Sequence, residues 1–466
     1  MTRPLAVLVA TALLSAASLR QSLVGGPTDI PFAVAVLLAI AVTLTAATAR
    51  GRGWPALPGA RRLGSLLLVA AAATAVLDRR LVVASRGPSP DELLLVALVL
   101  AVPLLALARV PARRRETIFI GLTLATYALV GVALIVGKPY HVDAVIAPHR
   151  AAELLLAGRD PYREFDFLEA AARFRIDPAL VTHLTDGTQV RGYDYPALSF
   201  VVVTPLVAVG VGAVRWLYLA ELLVLALVVA GRAPDRWRSL AVAAVVGNVM
   251  ITRQYVLAGI DPTWLLLVAV GWLSLGRRWP SALAIGLAVA ARQTAWFVAP
   301  FYLLAILWQQ GPREALRRAA IAGGTALAVH PPFLLDAPAE VVRGVLTPII
   351  ASLESNGVGL VRLGLSGALP LLPREVHALL AVAAYAVAAL AFQHGSARSG
   401  GLALALAPLY LAWRSSQSYF AFVPLLALLS VEDAGQETRN GSDLIPSTAR
   451  ELRERDGQAD NGEVRR

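Results

Sequence analysis

The residues best suited to chemistry lie in one long polar stretch, residues 138–195, set between apolar runs. This stretch holds seven cations and nine carboxylates, a net charge of −2, whereas most other charges are arginines in short connectors. It opens with Tyr-His-Val-Asp at residues 140–143 and closes with Tyr-Asp-Tyr-Pro at residues 193–196. Carboxylates held at a membrane surface could act as general acids or bases.

Asp143 is the carboxylate that we single out as a candidate general base. It follows an apolar run by about six residues, at membrane-surface depth, where a charged carboxylate carries a desolvation cost. The alternative is an ordinary interfacial aspartate paired with Arg150 or Lys138. A short helix that begins at Pro148 and stops before Gly158 would start too late for Asp143 to cap it.

Most other carboxylates of the stretch have structural explanations. Asp160 and Asp177 each precede a proline, which is typical of a helix N-cap followed by proline at the first helical position. Apolar positions at helical spacing in residues 162–176 predict one amphipathic helix on the membrane surface. Asp166 and Glu169 would then lie on the solvated face of that helix.

Cationic side chains near the ends of later apolar runs are candidates for binding phosphate. Arg253, Arg292 and Arg414 all fall near the external end of a run in the topology derived below. Arginine stays charged and matches phosphate with two hydrogen bonds, so converging arginines would form a lipid-phosphate site. The alternative for each is snorkelling to lipid headgroups. Glu221, within an apolar run, is interpreted as a structural partner for an arginine.

The elements that position these residues are predicted to be transmembrane helices. The chain is 57% hydrophobic with a mean hydropathy of +0.64, which is too apolar for an ordinary soluble protein. We therefore predict an all-α, polytopic membrane protein with about eleven to thirteen spans of ~20 residues. The runs that carry this prediction are residues 31–48, 93–108, 118–136, 198–214 and 263–275.

Charge placement predicts the topology. Arginine clusters after the second and fourth runs indicate cytoplasmic loops, an amino terminus inside and an external loop at 138–195. The expected organisation is a four-span bundle at 1–115, a catalytic domain at 116–430 and a disordered cytoplasmic tail at 431–466. For residues 197–230 the sequence allows three alternatives, namely a re-entrant segment, an interfacial segment or one broken helix. The concentration of arginines in the predicted cytoplasmic loops accounts for the net charge of +11 better than nucleic acid binding does.

Several chemistries are excluded or disfavoured by composition. The chain has no cysteine, so disulfides and thiol catalysis are excluded. It has no glycine-rich phosphate loop of the ATPase type and no His-Glu-x-x-His motif, and its six histidines are scattered. We expect no metal and no cofactor. The driving energy must then come from an activated substrate or a gradient.

The order of motifs resembles the GT-C glycosyltransferases, and among them glycosyltransferase family 87, the bacterial polyprenol-phosphate-mannose-dependent α-mannosyltransferases. An aspartate after a span is followed by Gly-Arg-Asp-Pro-Tyr and Tyr-Asp-Tyr-Pro-Ala-Leu. The resemblance covers roughly residues 116–430. Its motifs lie at residues 143, 158–162, 193–198, 259–261, 286–292 and 415–424.

The resemblance implies a membrane enzyme at the cell membrane with an extracytoplasmic active site. Its donor would be a sugar, mannose by default, on a polyprenyl phosphate, and its acceptor an envelope glycolipid or polysaccharide. The family's catalytic acidic residue maps to Asp143 and its cationic position to Arg292. From their places at the ends of apolar runs, Arg253 and Arg414 are expected as further donor-phosphate ligands. The expected substrate contacts are His149, Arg150, Tyr193, Tyr195 and His330.

Two departures from the family pattern stand beside this interpretation. The family usually places its key aspartate after the first span, whereas here about four spans precede the one before Asp143. Gly-Ile-Asp at 259–261 replaces the usual Gly-Gln-Asn/Asp, so Asp261, which precedes a proline, is expected only to cap a helix. The alternatives in function are a transporter or flippase of lipid-linked sugars, and a polymerase or ligase of surface polysaccharide.

Overall fold

The computed structural model of this chain describes residues 3–24, 29–48, 112–233, 237–393 and 401–429. These residues are mostly helical, with two strands of two residues each, as the all-α prediction requires. Three predictions lie outside or mostly outside the described residues. They concern the run at 93–108, the later part of the bundle at 1–115 and the tail at 431–466.

The first half of the described chain contains nine helices and a 3₁₀ turn at Pro178–Leu180. The helices have the following bounds: α1 Arg3–Val24, α2 Ile30–Thr48, α3 Ala112–Gly137, α4 Asp143–Leu156, α5 Pro161–Glu164, α6 Phe167–Phe174, α7 Leu198–Val201, α8 Thr204–Ala208 and α9 Arg215–Arg232.

The second half adds more helices and a small sheet. A π-helical turn at Thr252–Leu257 continues the helix Val249–Ile251, and a 3₁₀ turn at Ala407–Leu411 follows the helix Ala403–Leu406. Strands β1 (Asn356–Gly357) and β2 (Arg414–Ser415) pair in parallel. The helices are α10 Arg238–Val246, α11 Val249–Ile251, α12 Thr263–Leu273, α13 Arg278–Ala291, α14 Thr294–Gln310, α15 Pro312–Ala328, α16 Pro331–Asp336, α17 Pro338–Ile350, α18 Leu360–Leu365, α19 Arg374–Gln393, α20 Ala403–Leu406, α21 Gln417–Phe420 and α22 Val423–Leu429.

Two described helices are long and apolar enough to cross a membrane, Glu116–Gly137 within α3 and Arg374–Gln393. A third candidate arises if α10 and Val249–Leu257, which are bent by 43° at their junction, form one span. These spans indicate membrane association. The predicted runs at 198–214 and 263–275 are not full spans, because the first breaks into α7 and α8 and the second gives an 11-residue helix.

Helices from both ends of the described chain share one large apolar core. Buried side chains from α1 and α2, such as Val7 and Phe32, belong to the same cluster as those from α9, α12 and α14. The first two helices therefore contribute side chains to the same core as helices of residues 116–430. For residues 197–230, the structure gives two short helices and then α9, which begins at Arg215.

The polar stretch folds over a second apolar cluster that includes Ile146, Phe167 and Phe200. Asp160 and Asp177 accept backbone hydrogen bonds at the starts of α5 and the 3₁₀ turn, which confirms both predicted caps.

Two predictions for this stretch are wrong. Residues 162–176 form two short helices, because Asp166 caps α6 instead of lying on a solvated face. Helix α4 begins at Asp143, five residues before Pro148, because Val145, Ile146 and Ala147 are buried as part of it. This packing outweighs the preference of proline for a first turn.

Candidate functional site

A polar cavity of about 860 Å³ opens between the start of α4 and the carboxyl-terminal part of the described chain. Its walls come from elements far apart in sequence: α1, the start of α4, the π-helical turn and both strands. Single π-helical turns often occur at functional sites. The charged or titratable side chains on its walls are His141, Asp143, His183, Tyr195, Arg253, Arg292, Glu354, Arg414 and Tyr419.

Asp143 lies on the cavity wall as the first residue of α4. Its Oδ2 accepts hydrogen bonds from the Thr182 backbone N–H at 2.9 Å and from Thr182 Oγ1 at 2.6 Å. It forms no ion pair with Arg150 or Lys138. Arg150 instead pairs with Glu153. A carboxylate that is fixed through one oxygen keeps the other for a ligand.

Arg292 follows the end of α13 and reaches the same cavity. It forms a buried ion pair with Asp261, and its guanidinium lies 4.7 Å from the centroid of the Tyr195 ring. The expectation that Asp261 only caps a helix is wrong, since Pro262 occupies the N-cap position of α12. A buried carboxylate beside a buried arginine lowers the cost of burying both charges.

The other two candidate phosphate ligands also line the cavity. Arg253, in the π-helical turn, donates a hydrogen bond to the Ser18 carbonyl oxygen at 2.5 Å. Arg414, in β2, donates to the Glu354 carbonyl oxygen at 3.3 Å and forms no ion pair with a described residue. Both guanidinium groups are thus oriented by backbone oxygens.

Asp194 is a titratable group near this cavity that the residue pattern did not single out. Burial, and then the nearby charge of Asp143, raise its pKa to about 7, although Arg292 and Arg414 act in the opposite direction. Its Oδ1 is shielded from solvent and has no hydrogen-bond partner among the described residues. The Tyr-Asp-Tyr-Pro motif at residues 193–196 marks this segment in the sequence. A motif of adjacent residues does not show, however, that the side chain of its aspartate is buried.

His141 is the second titratable group that the sequence analysis did not select. It lines the cavity two residues before Asp143. Burial lowers its pKa, and the positive charge of Arg215 lowers it further, so the neutral imidazole is favoured. The imidazole is therefore able to accept or donate a hydrogen bond without adding charge to the cavity.

Four predicted substrate contacts lie outside the cavity lining and have structural partners. His149 Nδ1 is hydrogen-bonded to Tyr140 Oη at 2.9 Å, and Arg150 binds Glu153 and Glu169. The remaining two are the fully buried Tyr193, bonded to Ser199 at 2.5 Å, and His330, which contacts the backbone of Ala197 and Ala326. Tyr195 is the only one of the five predicted contacts that reaches the cavity.

Among the described residues, Glu221 does not pair with an arginine, contrary to the prediction. Its carboxylate accepts hydrogen bonds from Thr263 Oγ1 at 2.8 and 3.0 Å. The buried arginine nearest in sequence, Arg215, instead donates to the carbonyl oxygens of Ile135, Lys138 and Leu257. Backbone carbonyls at the end of α3 thus take the role that was expected of a carboxylate.

The chain matches no protein-family model, no curated protein and no solved structure. Among the described residues, no three His, Asp or Glu side chains are grouped closely enough to hold a metal ion. The cavity walls carry carboxylates and arginines together with two histidines and two tyrosines. Such a set suits proton abstraction next to a bound anion.

Proposed function

We propose that this chain is a membrane glycosyltransferase that takes a sugar, mannose by default, from a polyprenyl phosphate. The observation that carries the proposal is the meeting of Asp143 with Arg253, Arg292 and Arg414 on the walls of one cavity. The four residues are distributed over more than half of the sequence. A base and a set of phosphate ligands are the two functions that this transfer requires of the protein.

In the proposed reaction, Asp143 accepts the proton of an acceptor hydroxyl. The hydroxyl oxygen forms a new bond to the anomeric carbon of the sugar, while the bond from that carbon to the phosphate oxygen breaks. The configuration inverts, and the polyprenyl phosphate leaves with the electron pair. The arginines stabilise the charge that develops on the departing phosphate oxygen.

We further propose that the chain is a polytopic protein of the GT-C type in the cell membrane, with the cavity on the extracytoplasmic face. The two or three candidate spans and the six shorter apolar helices support a membrane location. The polyprenyl tail would lie against apolar helices beside the cavity, and the acceptor would be an envelope glycolipid or polysaccharide.

The test measures radiolabelled mannose transfer from polyprenyl-phosphate mannose to an envelope lipid extract, by the purified protein in sealed proteoliposomes. Asp143→Asn should lower kcat by roughly 10²–10⁴, because the base is lost while the shape is kept. Asp186→Asn is the matched control in the same polar stretch. Asp186 is exposed and its carboxylate accepts hydrogen bonds from Thr188, so this variant should keep full activity.

Two outcomes would count against the proposal. Full transfer activity of Asp143→Asn would mean that Asp143 is not the general base. Movement of the labelled lipid across the bilayer with no covalent transfer would favour the transporter alternative.

A further inference from the structure

The carboxyl group of Asp194 is held in place without a partner for one of its oxygens. Its Oδ1 is buried and has no hydrogen-bond partner among the described residues. Buried polar atoms in native proteins are nearly always paired, and each exception calls for an explanation such as an unoccupied ligand contact or a functional role. Asp194 does not line the cavity itself, but its neighbour Tyr195 does.

The backbone around Asp194 is held by hydrogen bonds on both sides, which limits how far the residue as a whole can shift towards a partner. The Asp194 carbonyl oxygen accepts a hydrogen bond from Gln293 Nε2 at 2.7 Å, and the Tyr195 carbonyl oxygen accepts one from Tyr162 Oη at 2.8 Å. Helix α17 passes so close to the Tyr193 carbonyl that a side-chain carbon at Gly344 would overlap it. The segment 193–195 is thus a fixed wall beside the cavity.

The charges around Asp194 show which form of the carboxyl suits an anionic ligand. The cavity is lined by Arg253, Arg292 and Arg414, and Arg292 is already paired with Asp261. The carboxylates Asp143 and Glu354 also line it. The three arginines are therefore equal in number to the carboxylates Asp143, Glu354 and Asp261, and a further ionised acid would make the site net negative.

The groups that act on Asp194 come from four parts of the chain. They are Asp143 at the start of α4, Arg292 after α13, Arg414 in β2 and the neighbouring tyrosines Tyr162 and Tyr195. Burial raises the pKa of both tyrosines well above its ordinary value, so they stay neutral at neutral pH. Burial and Asp143 favour the protonated form of Asp194, and the two arginines oppose it.

We propose that Asp194 is a positioning residue that keeps its proton while the phosphate donor is bound, which leaves the arginine charge available for the phosphate. The inference rests on the proposed function, because it takes the phosphodiester of that donor as the ligand. When Asp194 loses its proton, its carboxylate adds a second negative charge beside that of Asp143, close to the arginines. The donor is then repelled, and its affinity falls.

The sign of the pH dependence follows from the pKa of about 7 for Asp194. Below this value the carboxyl is protonated and the donor binds. Above it the binding-competent fraction falls about tenfold for each pH unit, and the apparent Kd rises by the same factor. The phosphodiester of the donor keeps a constant charge over this range, so the dependence would reflect the protein.

The test is equilibrium binding of polyprenyl-phosphate mannose, without acceptor, to the protein in nanodiscs about one pH unit below and one above 7. The wild-type Kd should rise by roughly tenfold between the two conditions. Asp194→Asn imitates the protonated acid, so its Kd should match the wild-type low-pH value at both conditions. The control Asp186→Asn should keep the wild-type dependence.

Infrared spectroscopy supplies a readout that needs no ligand. A protonated-carboxyl band that is present in the wild type below pH 7 and missing in Asp194→Asn would support the inference. The inference is overturned if that band is identical in both proteins, if Asp194→Asn keeps the wild-type pH dependence, or if it binds weakly at both conditions. If the wild type binds no donor at either pH, the proposed function fails, while the infrared band still reports on Asp194.

Discussion

At the scale of single residues, Asp143 depends on Thr182 for the orientation of its carboxylate. Both the backbone N–H and the hydroxyl of Thr182 donate to Oδ2 of Asp143. The hydroxyl bond can be removed alone, because valine has nearly the shape of threonine. A hydrogen bond to a charged group contributes roughly 1.5–3 kcal/mol, so the base should lose orientation but not its place in the fold.

Thr182→Val should therefore lower kcat for mannose transfer by about 10-fold to 100-fold with little change in the donor KM. Thr182→Ser is the matched control, since it keeps the hydroxyl, and it should retain most of the activity. Steady-state transfer kinetics with both purified variants provide the measurement. Wild-type kcat in Thr182→Val would mean that the hydroxyl does not position the base.

At the scale of elements, helix α1 supports the break between α10 and α11. Ser15 Oγ donates to the Gly247 carbonyl oxygen at 3.0 Å and accepts from the Val249 N–H at 3.2 Å. The next turn of α1 places the Ser18 carbonyl against Arg253 of the cavity. The first helix thus supports both the bent pair and one arginine of the site.

Ser15→Ala should lower the free energy of unfolding by about 1–3 kcal/mol, because it leaves the Val249 N–H and the Gly247 carbonyl buried without this partner. Thr11→Ala is a matched control on the same helix. Thr11 and Ser15 are equally buried, but the Thr11 hydroxyl has no partner among the described residues. Thermal unfolding in detergent should show a clearly lower Tm for Ser15→Ala only; equal Tm values would contradict the bridging role.

At the scale of the whole molecule, the candidate span α19 exposes most of its apolar surface. Only 11% of its most apolar 18-residue stretch is buried in the protein, against 44% for the corresponding stretch of Glu116–Gly137. Val382, near its middle, is 66% exposed. An apolar helix that is so little covered by its own chain is expected to face lipid.

Val382→Arg should therefore disfavour membrane insertion of α19 by about 3 kcal/mol, because arginine at the centre of a span costs this much. Val382→Leu should insert like the wild type. Glycosylation mapping of sites placed on either side of α19 would report the inserted fraction. Unchanged insertion of the arginine variant would mean that this face of α19 does not contact lipid.

Much of the local structure could be predicted from the sequence. The apolar composition predicts helices, and the caps at Asp160 and Asp177 follow from two adjacent residues each. Asp143, Arg253, Arg292 and Arg414 line one cavity, which the expected lipid-phosphate site requires. Their chemical roles remain predictions.

Only the tertiary structure decided which polar side chains have hydrogen-bond or ion-pair partners and which are left without one. The pairing of Arg292 with Asp261 and the contact of Arg253 with Ser18 join residues distant in the chain, which no local pattern encodes. Asp194 shows the same limit, because its neighbours in sequence are two tyrosines, while its charge state is set by burial and by Asp143. Desolvation and long-range charge depend on packing in three dimensions, whereas capping and hydrophobic periodicity depend on a few consecutive residues.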